Sequence, residues 1–461
     1  MSRMKDMTVG NPLWQILFFA FPLLLMNLCN YLYQITNTYV VGNFLGKEAL
    51  GAVGGASGSL HFLVFGFFFG LTGGLTVVTA QRFGAKDMVN VRRSIGTSFV
   101  ITFIISTSLL LTAGFTIRPV LHMMNTPPEL IENASAYMQI LFFCGSAIVL
   151  HSMLNSILRA LGDSKTPLYF SIYGNIANIC MNLYLVYFKG IGVTGVAWAT
   201  IFAQVTSFAG CVAYSLWKFP ILRLKKEDFR MDWRFTWEHL RVALPMAFQF
   251  TVTSVGIVIL QRAVNGYGSD AVGGISATSP IGTVTIAPLF TIGIAIATFV
   301  AQNYGARKLD RIREGVRKMV FVVFGFTALT SVLMYSFAPQ LVKIFLKDNV
   351  DNAVALDYGV IHLQFQAMFY VILGQLFIFR NAQQGMGHAS IPFWAGVAEL
   401  FARVFGAIFL TAWFGFKGAA ISHPLAWLFA TILVAIDYWW TIRKLKKTGI
   451  PERIKAEKKT A

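Results

Sequence analysis

Long apolar stretches without a charged residue, such as 58–79 and 96–117, recur along this chain. Each is long enough to cross, as a helix, a hydrocarbon layer roughly 30 Å thick. Gly, Pro and charged residues punctuate the stretches, and these breaks predict helices near 14–42, 52–80, 95–117, 133–158, 167–188, 193–217, 240–264, 273–303, 315–338, 357–382, 391–413 and 418–441. A large soluble core can bury one such stretch, but not a dozen in series. The predicted fold class is therefore all-α integral membrane, with twelve transmembrane helices.

The two halves of the pattern match each other at a nearly constant offset of 221 to 225 residues: Pro22 pairs with Pro245, Gly46 with Gly268, Gln81 with Gln302, Pro167 with Pro392 and Gly195 with Gly418. The clearest local match sets T-A-Q-R-F-G-A-K-D (79–87) against V-A-Q-N-Y-G-A-R-K-L-D (300–310), each closing the second helix of its half. Because six is even, both copies enter the membrane in the same direction, so the lobes are pseudo-symmetric and the repeat is parallel. Repeats of this kind commonly place a site between the halves. The expected organisation is an N-lobe (1–217), a cytoplasmic linker (218–238), a C-lobe (239–445) and a basic cytoplasmic tail (446–461).

Composition agrees with the pattern: 461 residues with 56% hydrophobic and 13% charged leave too little polar coat for a soluble fold, and the mean hydropathy is +0.62. The net charge of +18 by itself would suggest nucleic acid. Its placement says otherwise. The odd-numbered turns hold only Lys47, Arg118, Lys189, Lys343, Lys347 and Lys417 of the 38 lysines and arginines, and Arg262 and Arg403 fall within spans. The rest lie at the termini and even-numbered turns, so both termini are expected in the cytoplasm and no nucleic-acid partner is expected. The basic segments 218–241 and 443–459 would also attract anionic headgroups. Arg3 and Lys5 before an apolar run resemble a signal peptide, but no A-x-A-like site follows, so the run reads as a retained first helix. Cys29, Cys144, Cys180 and Cys211 lie in apolar segments without C-x-x-C spacing, which indicates neither zinc nor a disulfide framework. No H-E-x-x-H, P-loop, G-x-S-x-G or paired-carboxylate motif appears, so enzymatic and ATP-driven chemistry have no motif support.

Two six-helix halves also describe major facilitators, but the turn after the second helix lacks their G-x-x-x-D-R-x-G-R-R type of motif and carries A-Q-x-x-G-A-[KR] in both halves. With A-L-G-A-V at 49–53, R-A-L-G-D at 159–163 ahead of Pro167, and Glu399-x-x-x-Arg403 ahead of H-P-L-A-W at 423–427, the chain resembles the multidrug and toxic compound extrusion (MATE) family over its full length. The resemblance implies a secondary antiporter with alternating access. It would export small organic compounds, cationic or amphipathic, from a multi-pass position in the plasma membrane (bacterial inner membrane), driven by H⁺ or Na⁺ and with no cofactor. A monomer is expected. The superfamily also holds flippases for lipid-linked substrates, so fold alone does not name the cargo.

Ionisable groups in hydrocarbon are costly and mark candidate sites. Away from span ends the acids reduce to Glu399, roughly 12 Å into helix 11 at 1.5 Å per residue, with Arg403 one turn further on the same face. They form either a static ion pair or a pair in which Glu399 exchanges its partner for a proton or a substrate cation. The family's first-helix acid falls on Asn37, its N-x-x-x-D pattern in helix 5 falls on Asn178 and Asn182, and a helix-7 glutamate carried by some members falls on Gln249. Amides cannot titrate near neutrality, though their oxygens can ligate an ion. Asn30, Gln34 and Asn37 share a stripe of helix 1, and Asn175, Asn178 and Asn182 share one of helix 5. These stripes either line a neutral substrate or Na⁺ site, with Na⁺ near Asn37 and Asn182, or glue helices together. Gln364 and its neighbours add polarity to helix 10, and His151 and His362 are either proton relays or satisfied core histidines.

Overall fold

A computed structural model describes residues 5–54, 56–124, 126–346 and 352–451 of the chain. Arg3, Lys347 and the end of the basic tail (452–461) lie outside the described residues. The chain is built from α1 (Pro12–Gly54), α2 (Ala56–Gly84), α3 (Met88–Met123), α4 (Pro128–Phe143), α5 (Ser146–Ala160), α6 (Lys165–Asn182), α7 (Gly192–Lys218), α8 (Trp233–Asn265), α9 (Ser269–Gly305), α10 (Leu309–Ser336), α11 (Ala338–Lys343), α12 (Ala353–Gly385), α13 (Ser390–Phe405), α14 (Thr411–Phe414) and α15 (Phe416–Thr448), with no strand among the described residues. Helices are the economical solution in hydrocarbon because each satisfies its own N–H and C=O groups.

Among the described residues, ten helices or continuous helical runs are long and apolar enough to span a bilayer, and α4 with α5 makes an eleventh, bent by 51°. The twelfth is α6 with the π-helical turn Leu183–Phe188 that continues it. The twelve-helix, two-times-six architecture is thus as the repeat predicts. One helix is not. The continuous helix expected over 133–158 is broken at Cys144 and Gly145, where the Gly145 amide bonds back only three residues, to Phe142, at 3.1 Å. A side chain at Gly145 would press on the Leu141 carbonyl and come within 3.0 Å of Leu110, so the bend is locked by packing.

The backbone repeats as faithfully as the sequence. After helix 2 of each half the chain reverses through a left-handed residue, Lys86 (φ 60°) and Arg307 (φ 57°). The bonds that close these turns are Asp87 N to Arg82 O at 3.1 Å and Lys308 N to Asn303 O at 2.9 Å, the six-to-one bond of a Schellman cap. After helix 4 the same device recurs at Gly162 (φ 86°) and Gly387 (φ 81°), closed by Asp163 N to Leu158 O at 2.8 Å and His388 N to Gln383 O at 3.0 Å. Gly46 and Gly268 share φ near 85° and an extended ψ at the turn into the second helix of each half. Finally, Leu183–Phe188 and Gly406–Leu410, at an offset of 223 residues, are both π-helical.

The chain divides into two compact units. One contains Phe21–Ala247, the other Met7–Ala20 and the described residues from Phe248 onward. The divisions fall inside α1 and α8, at or within a few residues of Pro22 and Pro245. In the first unit, a core running from Val41 to Ala247 packs α2 on α3 and α5, α4 and α5 on α7, and α6 on α7. Gly70 and Gly74 let α2 approach the backbone of α8 at Met246 and Ala243 so closely that no side chain would fit. In the second unit, α12 is the central helix, against α9, α10 and α15.

In each unit the A-Q-x-x-G-A turn and the helix after it grip a segment that leads into a first helix. In the second unit Gln302 accepts from the Met7 amide at 2.9 Å and Asn303 donates to the Met7 carbonyl at 3.1 Å. Lys308 and Arg311 donate to the Thr8 and Gly10 carbonyls at 2.8 and 2.6 Å. In the first unit Arg82 pairs with Glu238 at 2.9 Å and Arg93 with Asp232 at 3.3 Å, while Ser94 bridges Thr79 and the buried His239 at 2.7 Å each. The linker is accordingly clamped, with Phe219 and Leu222 buried, rather than free in solvent.

Gly162 offers a direct test of the turn geometry. Besides its left-handed φ, a side chain there would collide with the Lys5 carbonyl. Gly162→Ala should lower stability by about 1–3 kcal/mol. Gly325→Ala, in α10 with nothing within 4 Å of the added carbon, should raise it by about 0.5–1 kcal/mol. Thermal unfolding of the two variants in detergent measures both, and equal effects would contradict the assignment.

Candidate functional site

Among the described residues each unit holds a polar seam in its membrane-spanning part, and the two seams differ in charge. In the first unit the amide stripes of α1 and α6 meet each other. Asn182 donates to Asn37 Oδ1 at 2.8 Å and to Asn178 Oδ1 at 2.5 Å, and Asn178 donates to the Thr200 hydroxyl of α7 at 3.2 Å. Asn30 Oδ1 accepts from Ser171 at 2.7 Å and from Asn175 at 3.1 Å. Asn178 and Asn182 are buried, whereas Gln34 is exposed and stands outside the set. The seam carries no formal charge. One acceptor, Asn182 Oδ1, is buried without a partner among the described residues, and the π-helical turn begins at the very next residue. A π-turn leaves the regular i→i−4 ladder, a geometry found often at functional positions.

In the second unit the seam is ionic. Glu399 and Arg403 pair within α13 at 2.9 Å, as the i,i+4 spacing predicts. A second guanidinium, that of Arg380 on α12, pairs with the other carboxylate oxygen, and the three side chains are 3%, 1% and 11% exposed respectively. Arg380 corrects the sequence-based census, which counted it with the cytoplasmic turn after helix 10. It lies five residues inside the end of α12, because that helix continues to Gly385. One turn on, Gln384 donates to Gln249 Oε1 of α8 at 2.8 Å. Gly396 of α13 faces Gln249 and Thr253, and Gly256 faces Arg403 and Leu400. Gln249, Thr253 and Gly256 of α8, Arg380 and Gln384 of α12, and Gly396, Glu399 and Arg403 of α13 therefore make one junction. Gln364 is half-buried on α12 and outside this hydrogen-bonded set.

His151 and His362 are placed differently. His362 Nδ1 lies 2.8 Å from Thr278 Oγ1, whose hydrogen is directed to the Ile275 carbonyl, so the ring donates there. Its Nε2 then accepts from Gln366 at 3.1 Å, which satisfies a neutral imidazole completely. His151 bonds Gln204 at 2.8 Å through Nδ1, and its Nε2 has no partner among the described residues. No group of three or more His, Cys, Asp or Glu among the described residues is arranged to hold a metal ion.

A bundle of long apolar helices with deep polar seams is the architecture of an integral membrane protein. The MatE family model matches the chain twice, over residues 22–184 and 245–409, so each copy begins at the paired prolines and the matches follow the internal repeat. The chain belongs to the multidrug and toxic compound extrusion family of efflux transporters and is not an enzyme. Among its relatives in Bacillus subtilis (strain 168), the probable multidrug resistance protein YpnP is 27% identical over 94% of this chain and 96% of its own, and YoeA is 25% identical over 94% of both. A solved outward-facing structure of a multidrug resistance MATE family transporter shares the fold, with a TM-score of 0.88 at 22% identity over 97% of this chain and all of that one.

The ionic seam should dominate stability. Glu399→Gln leaves two buried guanidiniums without a counter-charge and should cost about 3 kcal/mol or more. Asn182→Ala, which removes neutral hydrogen bonds, should cost about 1–3 kcal/mol. Adding Arg403→Met to Glu399→Gln should recover part of the loss, because one uncompensated charge is removed. Unfolding of the three variants in detergent checks the order, and a smaller cost for Glu399→Gln than for Asn182→Ala would contradict it.

Proposed function

We propose that this transporter is an ion-coupled antiporter that exports small organic, amphipathic compounds from the cytoplasm, using an inward H⁺ or Na⁺ gradient. Both termini face the cytoplasm of a cell whose plasma membrane holds the chain, as the distribution of lysine and arginine indicates. The observation that carries the coupling assignment is the difference between the seams. The positions where the family commonly carries acids in the first half are Asn37 and Asn182, the latter closing the N-x-x-x-D pattern that begins at Asn178, and neither amide can titrate. Glu399 is the deep carboxylate, and it has two partners to exchange among. In this reading Glu399 is the coupling residue, Arg403 and Arg380 are its alternating partners, and the Asn37–Asn182–Asn178 seam is a neutral site for substrate or Na⁺. Gln249, through Gln384, supports the junction at Glu399.

Arg380 also favours a second reading. A flippase for a lipid-linked substrate needs a basic site for a phosphate head, and two intramembrane arginines against one carboxylate leave an excess positive charge.

Reconstitution decides between them. Proteoliposomes with a pH or a Na⁺ gradient imposed separately should accumulate a cationic or zwitterionic dye under one gradient. Glu399→Gln should reduce that gradient-driven transport by about tenfold or more, the range in which loss of a positioned proton carrier is felt. Combined Asn37→Ala and Asn182→Ala should weaken substrate or Na⁺ binding. Full coupled transport by Glu399→Gln removes Glu399 from the mechanism, and no response to either gradient across several dyes would sink the antiporter in favour of the flippase.

A further inference from the structure

The junction around Glu399 holds more donor capacity than it uses. Arg380 and Arg403 each donate to the carboxylate through Nη2 alone, to opposite oxygens. Arg403 Nε and Nη1 and Arg380 Nε are buried and bond nothing among the described residues, and the Thr253 hydroxyl opposite Gly396 is likewise unpartnered. Arg403 is 1% exposed, so water at the protein surface does not serve its spare N–H groups. Formal charge is also unbalanced, at two positive groups to one negative.

A buried Arg–Glu–Arg triad is a stable structural element when its remaining protons are satisfied. Here three guanidinium nitrogens are not, and each unmet charged donor is expensive away from water. Gly256 brings α8 close against them, since a side-chain carbon there would come within 3.2 Å of Arg403 Nη1. Planar forks with unspent N–H groups in a site of excess positive charge match carboxylate and phosphate oxygens, which guanidinium binds in two-point fashion. An organic cation gains nothing there.

We propose that Arg380 and Arg403 form an oxyanion-binding subsite in which Glu399 is the resident, displaceable occupant, and that a carboxylate or phosphate group on the transported molecule takes its place. The subsite deepens the transporter reading by naming a substrate class: amphipathic compounds bearing an anionic group. It rests on that reading only for its purpose, because occupancy is measurable without transport. The oxyanion has two sources, a soluble solute or a lipid-linked phosphate.

The test is binding of inorganic phosphate and of methylphosphonate to the full-length protein in neutral-lipid nanodiscs at constant ionic strength, with tetraphenylphosphonium as the cationic control. The wild type should bind the oxyanions saturably, and Glu399→Gln should tighten binding by about tenfold or more, because a competing like charge is removed. Arg403→Gln and Arg380→Gln should each weaken it by at least about tenfold, and Arg403→Lys, which keeps the charge but not the fork, should fail to restore it. Unchanged melting temperature in any one of the arginine variants suffices to read the result as binding rather than unfolding. Nanodiscs containing phosphatidylglycerol separate the sources: competition with phosphate assigns the subsite to a lipid headgroup, and its absence assigns it to a soluble solute. Unchanged or weaker oxyanion binding in Glu399→Gln, or full binding in a folded Arg403→Gln, would overturn the proposal. Gradient-driven transport of dye by the wild type is scored separately, so failure of the antiporter and failure of the subsite are distinguishable.

Discussion

Hydrocarbon offers no hydrogen bonds, and this single constraint orders everything else in the chain. Helices satisfy the backbone internally, so the problem is reduced to side chains, and each polar side chain placed in a span must find its partner within the protein. The two units solve it in opposite ways. In one, amides and hydroxyls close on each other in a neutral set through Asn37, Asn178, Asn182 and Thr200. In the other, a carboxylate is held by two guanidiniums, with amides from α8 and α12 at its edge. The neutral set is inexpensive to keep and cannot change charge. The ionic set is expensive, and its spare donors imply that something beyond the fold is served by it.

The repeat shows what duplication has held constant and what it has released. Turn geometry is constant: Lys86 and Arg307, Gly162 and Gly387, Gly46 and Gly268 adopt the same left-handed conformation in each pair. A lysine or arginine accepts that strain at the first pair because the Schellman bonds repay part of it. The π-turns are constant as well, at the same offset, one beginning directly after Asn182 and the other three residues past Arg403. The side chains before those turns are what differ. The same backbone irregularity thus follows a neutral seam in one unit and an ionic seam in the other.

Much of this was legible in the sequence because hydropathy, glycine placement and i,i+4 spacing report directly on spans and shared faces. The pairing of Asn178 with Asn182 and of Glu399 with Arg403 follows from such spacing. Arg380 did not follow, since a span ending near residue 382 makes an arginine at 380 look like part of a turn, and only the continuation of α12 to Gly385 draws it inward. Gln384 was hidden for the same reason. The break at Gly145 was not legible because one glycine in a mostly apolar stretch does not by itself end a helix; a side chain there would meet the Leu141 carbonyl and come within 3.0 Å of Leu110. Packing across helices, unlike periodicity along one, leaves no local mark.

The account's central claim is that the working charge in the membrane belongs to the second unit and favours anions, while the first is neutral. The most direct test is anomalous diffraction from crystals of the full chain soaked separately in selenate and in thallium(I), a tetrahedral oxyanion and a monovalent cation. The account predicts a selenate peak within hydrogen-bonding distance of Arg380 and Arg403, lost in crystals of Arg403→Gln, and no selenate at Asn37, Asn178 or Asn182. A thallium peak beside Glu399, with no selenate at either arginine, would contradict it.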